Sequence, residues 1–446
     1  MTDSGPENDR AGTEGTADTA DTAGGGDTAG KDSGESTHDT DDSGSSSGKN
    51  GSGHPRRRRL RWAAGAVSVA LLAGAGVGWS LYQNLDGNIR TDVDTAQELR
   101  QHEAERPDAA PGEAENILLL GSDSRGGGNG AYGDDIGERS DTAILLHVAA
   151  DRRSATGVSI PRDLMVDIPG CTARDGGRTP ARFAQFNWAF QYGGAACTIR
   201  TVEKLTGTRV DHHLTLDFSG FKKLVDTVGG VEVCLPAAVR DRDARLDLPA
   251  GRQTLDGEDA LGYVRARHGI GNGSDTQRIG RQQQFLGSLV KKVRDDEVLL
   301  NPAKLYPVLD SATSALTADS GLDSLTELYE LVRGVRDIPT DRVRFLTIPR
   351  QSYALDANRD ELVQPDADRL FAQLREDRPV RVANGSGDGR DAGTAEPGRP
   401  SGPSARPGNQ PSRDAVESPA KPSPTYRGTT AARDVCAADD AGIGMN

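Results

Sequence analysis

The hydrophobic positions divide the chain into one long apolar run, a region of strand-like and helix-like patterns, and two ends with few large apolar residues. The run from Trp62 to Leu81 contains no charged residue, and about 20 such residues are enough to cross a bilayer as a helix. Further along, continuous apolar stretches predict buried strands. They are "NILLLG", "TAILLHVA", "ATGVSI", "VDHHLTL", "GVEVCLP" and "RVRFLTI".

Helical spacing separates these strands. Ile199 and Val202 lie on one face of a predicted helix that ends at Gly207. "DFSGFKKLVDTVGG" predicts a second helix, and Ser274 with Gln277 forms a capping box at the start of a third. The later segments "PAKLYPVLDSATSAL" and "LDSLTELYELVRGV" are amphipathic. The alternation predicts an α/β fold, a layered α-β-α domain with a central mixed sheet.

Charges flanking the apolar run predict its orientation. A cluster of arginines precedes the run, and Asp86 follows it. This asymmetry predicts a single-pass anchor in the cell membrane, with the N-terminus in the cytoplasm and the large domain extracellular. The alternative is a signal peptide cut near "AGAG". The length of the run favours the anchor.

Composition then predicts the domain boundaries. Residues 1–55 contain no Val, Ile, Leu, Phe, Tyr or Trp and are expected to be a disordered acidic cytoplasmic tail. Residues 56–82 hold the basic flank and transmembrane helix, 83–111 a polar extracellular stalk, and 112–383 the folded domain. Residues 384–446 are expected to be a low-complexity tail without a complete second domain, in which "YRGTTAARDVC" docks. The net charge of -14 describes the tails better than the domain, since much of the negative charge lies in the first tail.

Four cysteines agree with an oxidising location outside the cell. None belongs to a C-x-x-C pair, which argues against a zinc ribbon or a thioredoxin motif. The favoured pairing joins Cys171 to Cys197 and Cys234 to Cys436. Four cysteines allow three pairings, and four buried thiols are the remaining alternative.

Arginines and aspartates cluster after the ends of predicted strands and helices. In an α/β sheet, ligands bind beyond the strand ends. Arginine clasps phosphate bidentately, whereas aspartate repels it unless a hard cation such as Mg²⁺ bridges the two. The clusters therefore predict a diphosphate site, and the absence of GxxxxGK[ST] excludes a Walker-type nucleotide site. The residues are Asp123, Arg125, Arg139, Asp141, Arg162, Asp163, Arg265, Arg267, His268, Arg278 and Arg281.

Other interpretations compete with this one. Mixed Asp and Arg residues often form a salt-bridged surface, and the dipole of a helix ending at Gly269 accounts for one arginine in its last turn. Nucleic acid is disfavoured by the extracellular location and by the lack of a broad Lys/Arg surface run. His212 and His213 could indicate a metal, but strand alternation points them to opposite faces.

Six motifs in order resemble the LytR-CpsA-Psr family of cell-envelope proteins. They are "NILLLGSDSR", "ERSDTAILLHV", "VSIPRDLMVDIPG", "FSGFKKLVDTVGGVEVCLP", "LDGEDALGYVRARH" and "DTQRIGRQQQFL". The likeness covers about residues 115–295. It implies a phosphotransferase that moves a glycopolymer from a polyprenyl-diphosphate carrier to peptidoglycan through a phosphodiester. A non-catalytic binding or regulatory protein for the lipid-linked polymer, and a hydrolase of the carrier diphosphate, are the alternatives.

The resemblance also implies roles by motif position. Asp123 and Asp141 would be ligands of Mg²⁺, with Mn²⁺ as an alternative ion, and Asp163 and Asp275 would orient arginines. The implied catalytic residues are Asp141, Arg139, Arg162, Arg265 and Arg267. The implied diphosphate-binding residues are Arg125, Arg139, Arg162, Arg265, Arg267, Arg278, Arg281 and Gln282.

Overall fold

The structure is a computed structural model that describes residues 55–122, 140–173, 175–266, 275–295, 302–384, 424–434 and 436. Its first helix, α1 (Pro55–Gly87), contains the apolar run. Among the described residues, one helical segment, Trp62–Gly87, is long enough and apolar enough to cross a membrane. None of its most apolar stretch is buried. The predicted span lies within it.

A nine-stranded mixed sheet forms the centre of the domain. Its strands, in spatial order, are β1 (Arg90–Thr91), β14 (Leu316–Ala318), β9 (His212–Asp217), β2 (Glu115–Ser122), β3 (Ser140–Val148), β4 (Ala155–Ile160), β15 (Val343–Thr347), β19 (Thr425–Thr430) and β18 (Arg381–Asn384). The sheet is mixed because β2 pairs parallel with β9 but antiparallel with β3, and β4 pairs parallel with β15.

Helices and small hairpins surround this sheet. The helices after α1 are α2 (Val93–Gln101), α3 (Asn187–Thr206), α4 (Phe218–Thr227), α5 (Gly257–Arg265), α6 (Asp275–Asp295), α7 (Pro302–Ala315), α8 (Leu325–Arg336) and α9 (Asp366–Arg375). The two-stranded pairs are β5 (Met165–Ile168) with β8 (Arg182–Gln185), β6 (Cys171–Thr172) with β7 (Arg178–Thr179), β10 (Val231–Leu235) with β13 (Gly251–Leu255), β11 (Val239–Asp241) with β12 (Leu246–Leu248), and β16 (Arg350–Tyr353) with β17 (Asp356–Leu362).

The two faces of the sheet bury different cores. Leu118 and Leu120 of β2 point to the face covered by α3 and α9, where they join Ile199 and Leu370. The alternate residue Ile117 points to the other face, which includes side chains of α6 and α8. Successive residues of a strand point to opposite faces, so a strand apolar on both sides is covered on both sides. The predicted layered α-β-α fold with a central mixed sheet is confirmed.

Both disulfides of the favoured pairing are present. The Cα atoms of Cys171 and Cys197 are 5.6 Å apart, and those of Cys234 and Cys436 are 5.2 Å apart. The first disulfide packs against a break in α3 at Gly193, where a Cβ atom would lie 2.9 Å from the Cβ of Cys197. A residue without a side chain is therefore required at this close approach.

Three segments differ from expectation in their structure or in their strand pairing. Residues 83–111, expected to be a polar stalk, provide the end of α1, β1 and α2, and Thr95 of α2 is buried. The docking segment near the C-terminus enters the central sheet as β19, between β15 and β18. "GVEVCLP" is a strand as predicted, but it pairs with β13 outside the central sheet. Strands of two to six residues with mixed composition carry no usable periodicity.

Candidate diphosphate site

One edge of the central sheet gathers the polar residues that the sequence singles out. β2, β4, β9 and β15 end at this edge, and the antiparallel β3 begins there. Ser122 pairs with Ser140 of β3 and with Asp217 of β9. Arg162 and Asp163 follow the end of β4. The carboxyl ends of parallel strands are where α/β sheets place ligands.

A shared carboxylate joins two of the predicted arginines. The Nε atom of Arg162 lies 3.2 Å from Oδ2 of Asp163 and 3.8 Å from Oδ1 of Asp275. Arg278, one turn further along α6, forms an ion pair with the same Asp275 oxygen. The other oxygen, Oδ2 of Asp275, is buried and has no hydrogen-bond partner among the described residues. The structure thus brings Arg162, Asp163, Asp275 and Arg278 together where β4 meets α6.

Asp163 is held from several directions. The side-chain amide of Gln185 in β8 donates to Oδ1 of Asp163 at 2.7 Å. The Nη1 atom of Arg359 lies 3.8 Å from the same oxygen, and the backbone N–H of Asp360 donates to the carbonyl of Asp163 at 3.1 Å. These contacts fix the carboxylate that faces Arg162.

Gln282 connects three elements at the edge. Its side-chain amide donates to the hydroxyl of Thr142 in β3 and to the carbonyl of Val264 in α5, both at 3.2 Å. The guanidinium carbon of Arg265, in the last turn of α5, lies 4.6 Å from the centre of the Phe218 ring. A cation over an aromatic face is attractive, and the last turn is also where the helix dipole favours a cation.

Arg281 points elsewhere. Its guanidinium donates to the backbone carbonyl of Ala266, the residue after α5, and its Nε has no partner among the described residues. Burial lowers the pKa of this guanidinium from its ordinary value. The described contacts of Arg281 therefore hold the end of α5, which leads into Arg267, and include none with Arg162, Asp275 or Arg278.

Several predicted residues lie outside the described residues. They are Asp123, Arg125, Arg139, Arg267 and His268. The backbone of Asp141 belongs to β3, but its side chain is outside the description. Asp141 is the additional residue of a β-bulge, because Gly121 pairs with Thr142 while Ser122 pairs with Ser140. Bulges often occur next to active sites, where they redirect side chains.

Asp123 and Asp141 stay the predicted ligands of Mg²⁺, and their side chains lie outside the described residues. The chain leaves β2 at Ser122, one residue before Asp123, and Ser122 pairs across the bulge that contains Asp141. Two carboxylates together with substrate phosphate oxygens are a usual ligand set for Mg²⁺. Asp163 and Asp275, by contrast, are engaged by arginines. Across the described ranges, no group of three or more His, Cys, Asp or Glu residues could hold a metal.

The alternative of a metal at His212 and His213 finds no support in their contacts. Nδ1 of His212 lies 3.2 Å from Oδ1 of Asp319, whereas Nε2 of His213 lies 3.3 Å from Oδ2 of Asp92. The Nδ1 atom of His213 also lies 4.0 Å from Oδ2 of Asp319, so Asp319 is near both rings and Asp92 is a further contact of His213. Both histidines connect β9 to neighbouring segments.

Arg350 is a residue of this edge that the sequence reasoning missed. Its guanidinium forms an ion pair with Asp360 and donates to the hydroxyl of Thr276 in the first turn of α6. Burial raises the pKa of Asp360, and the neighbouring carboxylates of Asp275 and Asp163 add to the rise while Arg350 opposes it. A signal was present in the sequence, because β4 and β15 both run into Ile-Pro-Arg. Ser159 pairs with Thr347, so Arg350 stands in register with Arg162.

Comparisons with known proteins agree on one family. The sequence profile of the LytR_cpsA_psr family matches residues 81–376. The cell wall biosynthesis protein LcpA of Corynebacterium glutamicum is 33% identical, and the match covers 73% of this chain and 66% of LcpA, just under two thirds of its length. The polyisoprenyl-teichoic acid–peptidoglycan teichoic acid transferase TagU of Enterococcus faecalis is 30% identical over 59% of this chain and 80% of TagU. A solved LytR-Csp2A-Psr enzyme from Actinomyces oris covers 60% of this chain and 93% of that chain, with 23% identity and a TM-score of 0.48.

Proposed function

The chain belongs to the LytR-CpsA-Psr family, and on this premise we propose that it moves a glycopolymer from a polyprenyl-diphosphate carrier to peptidoglycan, forming a phosphodiester. The similarity to TagU, whose name describes transfer of teichoic acid to peptidoglycan, supports a transferase. The observation that carries the proposal is the interlocked set of Arg162, Asp163, Asp275 and Arg278 at the strand ends.

The arginines supply most of the binding chemistry in this proposal. Arg162 and Arg278 approach one carboxylate from two sides, so their guanidinium groups are oriented before substrate arrives. A diphosphate that binds there meets several N–H donors at fixed positions. Phosphoryl transfer depends mainly on such positioning and on stabilising charge at the phosphoryl oxygens. Arg139, Arg265 and Arg267 are assigned to the same anion by family motif.

Asp123 and Asp141 are the proposed ligands of Mg²⁺, or of Mn²⁺. When bound, the cation would offset negative charge on the phosphate oxygens and make phosphorus more electrophilic. Gln282 holds Thr142, the residue after Asp141, and thereby fixes the start of β3 beneath the site.

In the proposed reaction, one bond to phosphorus forms and one breaks. A hydroxyl oxygen of peptidoglycan forms a bond to the phosphorus that carries the glycopolymer. The bond from that phosphorus to the bridging oxygen breaks, and polyprenyl phosphate leaves with the electron pair. The proton of the hydroxyl passes to a carboxylate of the site. Water in place of the hydroxyl would give hydrolysis instead.

The proposed topology follows from the candidate spanning helix. Residues 1–54 remain in the cytoplasm, α1 crosses the membrane once, and the domain that follows α1 faces the cell wall. The arginines before Trp62 and Asp86 after the run support this orientation. The membrane, the lipid-linked polymer and peptidoglycan are then the partners, and nucleic acid is not one.

The direct test uses the full chain in nanodiscs with Mg²⁺, a synthetic polyprenyl-diphosphate saccharide and peptidoglycan oligomers. Mass spectrometry should detect a phosphodiester-linked saccharide on the oligomers, and Asp141→Ala should abolish it. Release of saccharide phosphate without the linked product would favour the hydrolase. Tight donor binding without any product, across several saccharides, would favour a binding protein.

A further inference from the structure

Two aromatic rings, one exposed and one half-buried, form a pair beside the candidate diphosphate site. Phe183 of β8 is 53% exposed, and its ring centroid lies 6.1 Å from that of Tyr353 in β16. The two ring planes are tilted by 56°. Phe183 leaves an aromatic ring open to solvent beside the half-buried ring of a second hairpin, and together they can form a small contact surface.

The pair is continuous with the site. Phe183 and Gln185 are two residues apart in β8, so their side chains emerge on the same face about 7 Å from each other. The Gln185 amide contacts Asp163, which contacts Arg162. Tyr353 is the last residue of β16, and Arg350 is its first. An extended ligand whose reacting end lies at the arginines can therefore continue toward these rings along β8.

Charged groups surround the rings. Arg359 lies between them and the site, with Nη1 3.8 Å from Asp163 and Nε 3.7 Å from Oδ2 of Asp356, and its side chain is 32% exposed. Asp356 is paired with Tyr353 across the hairpin. Aromatic faces with a few fixed polar groups are suited to a pyranose, whose C–H face packs on a ring while its hydroxyls form hydrogen bonds.

The position within the sheet favours the acceptor over the donor. The end of α1 contacts α7 and α8, through Asn84 to Tyr306 at 3.1 Å and Tyr82 to Thr326 at 3.2 Å. α7 leads into β14, near one end of the sheet, whereas β5–β8 and β16–β17 follow β4 and β15 on the other side of β2 and β3. A lipid-linked donor would stay tethered to the membrane, and in the strand order of the sheet the rings follow strands that lie across β2 and β3 from β14.

We propose that Phe183 and Tyr353 form a subsite for the acceptor glycan, the amino-sugar strand of peptidoglycan. The inference rests on the proposed function for its choice of ligand. It predicts that the rings stack on sugars next to the residue that receives the phosphate. The subsite would position the acceptor hydroxyl and leave the donor to the arginines.

A binding measurement tests the subsite without any chemistry. The full chain in nanodiscs is titrated calorimetrically with a peptidoglycan tetrasaccharide in the absence of donor. Phe183→Ala and Tyr353→Ala should each weaken binding about threefold to tenfold, and Phe183→Tyr should retain it. One exposed aromatic residue away from the pair serves as the matched control: Tyr329→Ala on α8, 54% exposed, should leave the affinity unchanged.

Kinetics separate the acceptor from the donor. In the transfer assay, Phe183→Ala should raise KM for the oligomer by the same factor and leave KM for the lipid-linked saccharide unchanged. A rise in the donor KM alone would overturn the proposal in favour of a donor subsite. Unchanged affinity in both ring variants would overturn it altogether. If no variant shows transfer but the tetrasaccharide still binds through Phe183, the subsite stands and the proposed reaction fails.

Discussion

Removing Arg350 should leave a carboxylate buried without its cation. The side chains of Arg350 and Asp360 are 13% and 11% exposed, and they form an ion pair. In Arg350→Ala, the charge of Asp360 stays inside the domain near the carboxylates of Asp163 and Asp275. Loss of one partner from a buried pair costs about 3–5 kcal/mol, because the remaining charge has lost its compensation.

The stability lost in Arg350→Ala should depend on pH in a defined direction. Burial, followed by the charges of Asp275 and Asp163, raises the pKa of Asp360, and the Arg350 charge opposes the rise. Without Arg350 the folded-state pKa rises further above the unfolded value. Such a carboxyl stays protonated in the folded state at pH values where the unfolded chain has already ionised. The penalty therefore grows by about 1.4 kcal/mol per pH unit between the unfolded and the folded pKa, and it is fully present above the folded pKa. Arg350→Ala should therefore lower the free energy of unfolding less at pH 5 than at pH 8.

Urea unfolding followed by circular dichroism at both pH values measures the effect in the full chain. Arg350→Ala with Asp360→Asn should recover part of the loss and most of its pH dependence, since no buried charge remains. The matched control is Arg240→Ala, whose pair with Asp247 is 84% and 71% exposed and should contribute little. Equal losses at pH 5 and pH 8, or a double variant as unstable as the single one, would refute the buried-charge explanation.

Three further changes test other parts of the molecule. Arg267→Ala should abolish transfer and leave the unfolding midpoint unchanged, and transfer at the wild-type rate would remove its site assignment. Burial raises the pKa of Asp92, but hydrogen bonds from His213 and Thr95 outweigh it and hold the pKa at about 2, below the ordinary 3.8. Its stabilisation is present above pH 4 and disappears as pH falls toward 2, so Asp92→Asn should cost about 2 kcal/mol at pH 7 and little at pH 2.5 in urea melts. Replacing Cys234 and Cys436 together by serine should cost about 2–4 kcal/mol, because the disulfide spans a separation of 202 residues, and an unchanged melt would contradict this.

The sequence predicted the central strands because they are buried on both faces. The apolar sequences of β2, β3 and β4 show no alternation of polar and apolar residues. Most of the side chains described in these strands are buried. Gly207 ended α3 as predicted, and its φ of 63° is the left-handed conformation typical of that position. β1 and β14 could not be predicted, since two or three residues carry no period and their pairing depends on chain segments more than 200 residues apart.

The site was predictable where residue chemistry follows directly from strand ends. Arg162, Asp163, Asp275 and Arg278 meet where β4 ends and α6 begins, and the part of Asp275 in this group was implied by the family resemblance alone. Arg281 was predicted to bind the diphosphate on the same grounds as Arg278, three positions earlier in α6. Its guanidinium instead donates to the carbonyl of Ala266, which the sequence pattern did not indicate.

Gln185 and Arg359 lie in hairpins that bring them into contact with Asp163. No local sequence pattern indicates that these hairpins fold back onto Asp163. Arg350 had a signal in the repeated Ile-Pro-Arg, but the repeat gains meaning only when β4 and β15 are known to be parallel neighbours.

The carboxylates explain how an acidic protein can hold cations so close together. Asp163, Asp275 and Asp360 each contact at least one arginine and separate guanidinium groups that would otherwise repel each other. The same contacts fix the arginine rotamers, so little side-chain entropy is lost when an anion binds. The proposed diphosphate would add to this array without displacing the carboxylates, because each guanidinium presents five N–H donors and a carboxylate occupies only some of them. Arginine is better suited to this double contact than lysine, whose single ammonium cannot present donors on two separate edges.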